Sequence, residues 1–289
     1  SEDIFSIDVN EGVPILEKGS PDLEKLVTSI IIPENGLMDF EIVDSKYREY
    51  TDVSLAPSKV PLLRNINPDS VPLEYNDVYN ANVFFPGKLA ELSDPYILRD
   101  FHGQTLIVYP FQYNPISKIL RVYSELTVRV YSDSDVYNQS LLRNSHGSHS
   151  ISSEFAHMYS SHFINYDSQQ SRYELLDEHG SMLIISNDAF MSDMASFVEW
   201  KNIKGIPTEI IDVNDIGSSS DEIKEYVESY YYQESLTFLL LVGDIEHIPS
   251  PRFSLGNGSN SPADASYGFL AGNDFYPEVF VGRFSAEDT

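Results

Sequence analysis

Three acidic residues late in the sequence stand where chemistry could be done. Asp244 closes the apolar run "FLLLVGD", and Asp274 and Glu278 lie four apart in "GNDFYPEVF", between aromatic and proline residues. A carboxylate at the end of a strand buried on both faces is costly unless it is paired or metal-bound. Two hard carboxylates in one turn, with main-chain carbonyls beside them, suit calcium, which takes roughly six to eight oxygens in flexible geometry. An Asp that caps the amides of a turn gives the same pattern. His247, three residues after Asp244, reads as a partly exposed loop histidine. The sequence has no cysteine, so a thiolate nucleophile, a thiolate metal site and a disulfide are all excluded within these residues. It contains no G-x-S-x-G elbow, no HExxH and no glycine-rich nucleotide fingerprint.

The elements that must carry these groups fall into two grammars. From about Glu24 to Tyr131 short alternating or β-branched runs such as "LVTSIIIP", "TLIVYPFQY" and "ILRVYSELTVRVYS" are broken by Pro, Asn, Asp and Gly, which predicts the antiparallel strands of a sandwich. Tyr113-Asn114-Pro115 supplies a turn, and Leu120, Val122, Val128 and Val130 alternate after it. Between Ser132 and Arg172 the composition shifts to Ser, Asn, His, Asp and Gln, the signature of a linker, with Phe155, Met158 and Tyr159 marking one short helix that docks. Arg172-Tyr173, set among polar residues at the junction, is a plausible processing bond, because exposed interdomain loops are where proteases cut.

After Tyr173 a β-α-β-α-β series begins. "SMLIIS", "IPTEIIDV" and "TFLLLVGD" are its strands. Met194, Phe197, Val198 and Ile203 recur at helical spacing before Gly205, which suits a left-handed helix end. Ser219 and Glu222 form a capping box ahead of Ile223, Tyr226, Val227, Tyr230 and Tyr231, one apolar helix face. Continuous apolar strands separated by helices predict a parallel sheet covered on its faces, with reactive groups gathered at the carboxyl ends of the strands, where Asp244 sits.

A length of 289 residues fits two domains, and 42% apolar with 12% aromatic residues supports a folded chain. With 45 acidic against 18 basic residues the net charge is −27, which repels nucleic acid and anionic lipid. No apolar run is long enough to span a bilayer, and "SEDIFSIDVNEG" lacks the features of a signal peptide, so any such leader is expected to have been removed.

The blocks "DVSLAPSK", "FFPGKLAELSDPYILRD" and "QYNPISKILRVYSEL", with "FVEWKNIKGIPTEI", "LLLVGDIEHIP" and "YGFLAGNDFYPEVFVGRFS", resemble the gingipain-type cysteine endopeptidases, the arginine-specific ones above all, from about Gly12 onward. The resemblance implies an all-β sandwich inhibitory prodomain over 1–150, a linker with the processing site over 151–172, and over 173–289 the first α/β subdomain of a caspase-like peptidase domain. It also implies a catalytic Cys and His beyond residue 289, so that no catalytic residue lies within the chain and the chain is inactive by itself.

Further implications concern site residues. Asp244 helps bind one calcium ion, and Asp274 and Glu278, with the carbonyls of Ala271 and Tyr276, hold another. Phe275 and Pro277 depart from the relatives there but leave both carboxylates in place. Arg64, in "APSKVPLLRNINPDSVP", is the candidate inhibitory plug, since a guanidinium would mimic a substrate Arg in a specificity pocket. The expected partners are the chain's own downstream catalytic subdomain and peptide or protein substrates, and the expected location is extracellular. A non-catalytic, calcium-dependent binding or secretion-associated protein of the same fold is the alternative. A flavodoxin-like nucleotide domain is disfavoured, because the loop "NDAFMSD" offers no glycine for phosphate approach.

Overall fold

In the computed structural model the described residues are 7–34, 37–62, 64–133, 150–166, 174–175, 179–234, 236–254 and 260–287. The chain divides into two compact units, Ser1–Asp94 with Gln104–Asn138, and Pro95–Gly103 with Gln139–Thr289.

Among its described residues the first unit is built from strands joined by short 3-10 turns. Strands β1 (Val13–Pro14), β2 (Glu24–Ile32), β6 (Phe101–Val108) and β4 (Ala90–Leu92) lie side by side in that order in one sheet. A second, antiparallel sheet joins β3 (Leu37–Tyr50), β8 (Ile119–Asp133) and β7 (Phe111–Asn114). The β7–β8 hairpin turns at Asn114, whose side chain accepts from the amides of Ile116 and Ser117, as its turn residues predict. Leu23, Leu55, Phe111, Tyr113 and Leu120 pack into one buried cluster. The β3–β8 ribbon is long and largely solvent-facing; cross-strand pairs such as Arg121 with Glu49 and Arg129 with Glu41 decorate it.

The second unit contains the parallel sheet. Its four strands run in the order β12 (Thr208–Asp212), β11 (Ser181–Ser186), β13 (Leu236–Val242), β16 (Phe280–Phe284), all pairs parallel. Alternation sends neighbouring side chains to opposite faces. Leu183, Ile185, Leu239 and Leu241 pack with Ile223 and Val227 of helix α3 (Ser220–Glu234), while Met182, Ile184, Leu240 and Val242 pack with Met194 and with Phe197 and Val198 of α2 (Ala195–Ile203). Both faces are therefore covered, which is why the strands read as unbroken apolar runs. Gly205 takes φ +81° beyond α2, the left-handed residue expected there. Ile203, expected on the apolar face of α2, is instead 77% exposed, because it is the helix's last residue and lies past the stripe that meets the sheet.

The stretch read as linker also contributes to this unit. Helix α1 (Ser153–His162) buries Phe155 and Tyr159, and β9 (Ser150–Ile151) pairs in parallel with β10 (Glu174–Leu175). A β14–β15 ribbon (Arg252–Ser254, Asn260–Pro262) completes the described strands, apart from β5 (Tyr96–Leu98). The first residues of β6 pair back on β5, Tyr96 opposite Gly103 and Leu98 opposite Phe101. This hairpin, expected with the β-rich half, belongs to the α/β unit.

Candidate functional site

At the end of β13 the chain turns through Gly243 at φ +124°, where a Cβ would lie 2.9 Å from that of His247, so both conformation and space call for glycine. Asp244 follows. Its Oδ1 accepts from the amides of Glu246 (2.8 Å) and His247 (3.3 Å) and meets His247 Nδ1 at 3.1 Å. These bonds, the Glu246 amide first, hold its carboxyl below the ordinary aspartate value. Arg283 of β16 braces the same strand end, donating from Nη1 to the carbonyls of Gly243 (2.9 Å) and Asp244 (3.0 Å) while pairing with Asp264. The strand-end carboxylate is thus a paired turn cap.

The turn before β16 gathers the other expected residues. Gly272, at φ +75°, lets the chain fold over Asp274, whose Oδ1 accepts from the Tyr276 amide at 2.9 Å. Asp274 Oδ2 accepts from the amide of Ile97 at 2.8 Å. Glu278 is fully buried, and its Oε2 accepts from the amides of Leu270 (2.6 Å) and Ala271 (3.0 Å). Its Oε1 faces the Arg99 amide at 3.5 Å, a long contact. Burial pushes the Glu278 carboxyl up from 4.5 to about 7, against the pull of these amides.

Sequence reasoning missed what lies on the far side of this turn. Arg99, only 9% exposed and at φ +46°, donates from Nη1 to the carbonyls of Leu236 (2.6 Å) and Glu278 (2.7 Å). Its guanidinium carbon lies 4.5 Å from the ring centre of Phe155 and 5.3 Å from that of Tyr231, within cation–π range. Tyr96 stacks on Tyr276 with ring centres 3.8 Å apart, and its hydroxyl meets His162 Nε2 at 2.8 Å. Tyr159 donates to Asp100 Oδ2 at 2.7 Å. The only local signal was "DPYILRD", a short apolar run ending in a charged pair, and nothing in it points to partners far along the chain.

Ala271, Asp274, Tyr276 and Glu278 are therefore brought together, while Asp244 bonds in a different group, with His247 and Arg283. Each of the four carboxylate oxygens of Asp274 and Glu278 faces a backbone N–H, and the Arg99 guanidinium donates to the Glu278 main-chain carbonyl. Among the described residues no group of three or more His, Cys, Asp or Glu side chains is placed to hold a metal ion. Arg64 is exposed on a turn of the first unit. Arg172 and Tyr173 lie outside the described residues.

Family models match nearly the whole chain. The C25 propeptide family matches residues 3–172, and peptidase family C25 matches residues 175–289. The chain belongs to the C25 family. Gingipain R2 of Porphyromonas gingivalis is 41% identical over 285 residues, 96% of this chain and 37% of that protein. Gingipain R1 of the same organism is 40% identical over 283 residues, 96% of this chain and 27% of that protein. The chain thus spans little more than a third of the length of the gingipain R2 it matches. A solved complex of the pro- and mature domains of Porphyromonas gingivalis RgpB is 42% identical and covers 54% of this chain and 77% of that chain, with a TM-score of 0.48. Within the C25 frame, hairpin 95–103 and helix α1 lie in the propeptide match but fold with residues of the peptidase match.

Proposed function

We propose that this chain is the N-terminal portion of a secreted cysteine endopeptidase zymogen that cleaves after Arg, comprising an inhibitory sandwich propeptide and the opening, caspase-like part of the peptidase domain. The observation that carries the reading is the continuous likeness to gingipains R1 and R2 across both the propeptide and the peptidase matches. With no cysteine among its 289 residues, the chain has no thiolate of its own. In the longer parent a Cys/His pair would form and hydrolyse the acyl-enzyme. Among the described residues no helix is long and apolar enough to cross a membrane.

Arg64 is the proposed plug, supported by its exposure on a turn, and the Arg172–Tyr173 bond is the proposed processing point, supported by the change of family match between 172 and 175. Calcium stays a proposal resting on the resemblance. Asp244, which accepts its three bonds at Oδ1, is one of the carboxylates that the resemblance assigns to calcium.

The test is kinetic. The longer parent, once processed, should hydrolyse arginyl but not lysyl peptide amides, and the 289-residue chain alone should hydrolyse neither. Arg64→Ala in the chain should weaken its inhibition of that enzyme by about tenfold or more, the order of one charge-assisted contact. A parent with no thiol-dependent hydrolysis, or an Arg64→Ala chain that inhibits as well as wild type, would overturn the corresponding part of the reading.

A further inference from the structure

We infer that the N-terminal ends of β13 and β16, with Tyr231 of α3, form a binding site for a guanidinium group, one that Arg99 fills from within the chain and that takes an arginyl side chain of another molecule when Arg99 is away. The two strands pair in parallel from Phe238 and Phe280 onward. Leu236 and Glu278 each stand two residues ahead of that first pair, so their main-chain carbonyls lie before the ladder that ties the strands together. The pairing of β13 with β11 is irregular at the same place, Ser181 facing Leu236 and Met182 facing Phe238, an irregularity of the kind that re-aims local groups or ends pairing. Both residues are fully buried, where a carbonyl left without a donor is costly. Nη1 of Arg99 donates to the two carbonyls, at 2.6 and 2.7 Å, and so bridges the strands ahead of their first rung.

The surroundings select a guanidinium over an ammonium. The central carbon of the Arg99 head group lies 4.5 Å from the ring centre of Phe155 and 5.3 Å from that of Tyr231. A planar, weakly hydrated cation lies against such faces while its edge donates to carbonyls, whereas a compact, strongly hydrated ammonium meets only one of these demands. Arg99 also holds φ +46°, a backbone conformation that persists in a residue other than glycine only where its surroundings impose it. At the opposite end of β13 the carbonyls of Gly243 and Asp244 are held by Arg283, a residue of the sheet itself. Arg99 instead reaches in from the propeptide match, as does Phe155, while Leu236, Glu278 and Tyr231 lie in the peptidase match. The site follows from these contacts alone. Its use by another molecule rests on the zymogen reading, under which a departing propeptide leaves the two carbonyls and the Tyr231 ring for an arginine carried by a protein substrate.

The experiment is a chemical rescue of the intact 289-residue chain. Arg99→Gly keeps the positive-φ backbone and empties the site. Its urea midpoint is measured against rising N-propylguanidinium, with N-propylammonium as the control, at concentrations well below those at which guanidinium salts denature. N-propylguanidinium should raise the midpoint of Arg99→Gly saturably, as a ligand of the folded state does, and should leave wild type, whose site is filled, unmoved. N-propylammonium should do neither. Adding Tyr231→Leu should raise the concentration of N-propylguanidinium needed by about threefold or more, the loss of one ring face. N-acetylarginine amide should rescue as the small cation does. No saturable rescue, an equal rescue by the ammonium, an equal shift in wild type, or exclusion of N-acetylarginine amide would overturn the inference. Should Arg99→Gly not fold unaided, refolding from urea is followed by near-UV circular dichroism with each compound; recovery with the guanidinium alone supports the site, and no recovery overturns it. None of these readouts depends on peptidase activity, so the site can fail while the zymogen reading stands.

Discussion

Arg283 and Asp264 form a two-pronged ion pair, Nε to Oδ2 and Nη2 to Oδ1, each at 2.7 Å. The same guanidinium's third nitrogen holds the carbonyls of Gly243 and Asp244, so one side chain links β16, the end of β13 and the 3-10 turn beginning at Asp264. The side chain of Arg283 is only 9% exposed, and removing its carboxylate partner would leave a charge with little water to replace it.

Asp264→Asn should therefore lose about 1.5–3 kcal/mol at neutral pH, the range for hydrogen bonds to charged groups. The hydrogen bond to Arg283 holds the Asp264 carboxyl below its ordinary 3.8. A depressed carboxylate contributes stability that is present above the unfolded value and is lost as pH falls through the folded one. Urea unfolding of wild type should weaken in that acid window, and Asp264→Asn should show a shallower acid loss.

The β5–β6 hairpin has a steric requirement of its own. A Cβ at Gly103 would fall inside contact distance of the Tyr96 ring, which is clamped on its other side by Tyr276. Gly103→Ala should cost about 1–3 kcal/mol, as overpacking does, and should alter the near-ultraviolet tyrosine signal, because relief requires Tyr96 to leave its stack. A substitution that leaves both stability and that signal unchanged would mean the ring moves freely.

At the start of α3, Glu222 Oε2 accepts from the amides of Ser218 and Ser219 while the Ser219 hydroxyl accepts from the Glu222 amide. Ser219→Ala should destabilise the chain by about 1 kcal/mol, measured as a lower urea midpoint with an unchanged slope.

In the sheet, Leu183 is fully buried on the α3 face of β11. Leu183→Ala should cost about 2–5 kcal/mol through lost burial and the cavity left behind, measured by chemical unfolding.

Much of the α/β unit was legible because its signals are local. The alternation of Leu239 and Leu241 with Leu240 and Val242, the Ser219–Glu222 box and Gly205 each act within a few residues, and each is found where its spacing places it. Asp244 shows how far such reading goes: its position at a strand end was evident, but the amides of Glu246 and His247 that it accepts from are set by the turn geometry of residues 245–248. The hairpin at 96–101 lay beyond reach for a different reason. Its bonds to Asp274 and Glu278 join residues 177 and 179 apart, and no periodicity in "PYILRD" encodes the surface that receives it. The Arg at its tip carries the same side chain as Arg64, and only burial distinguishes the two.

Those long-range bonds set a timetable for the nascent chain. Arg99 leaves the ribosome 179 residues ahead of Glu278, and at roughly 5–20 residues per second the interval is about 10–40 s. Throughout that wait a charged, aromatic-flanked hairpin has no acceptor to close on, so its docking is necessarily among the last steps of assembly. Anything that holds the early strands apart from aggregation during those seconds contributes directly to the yield of folded protein.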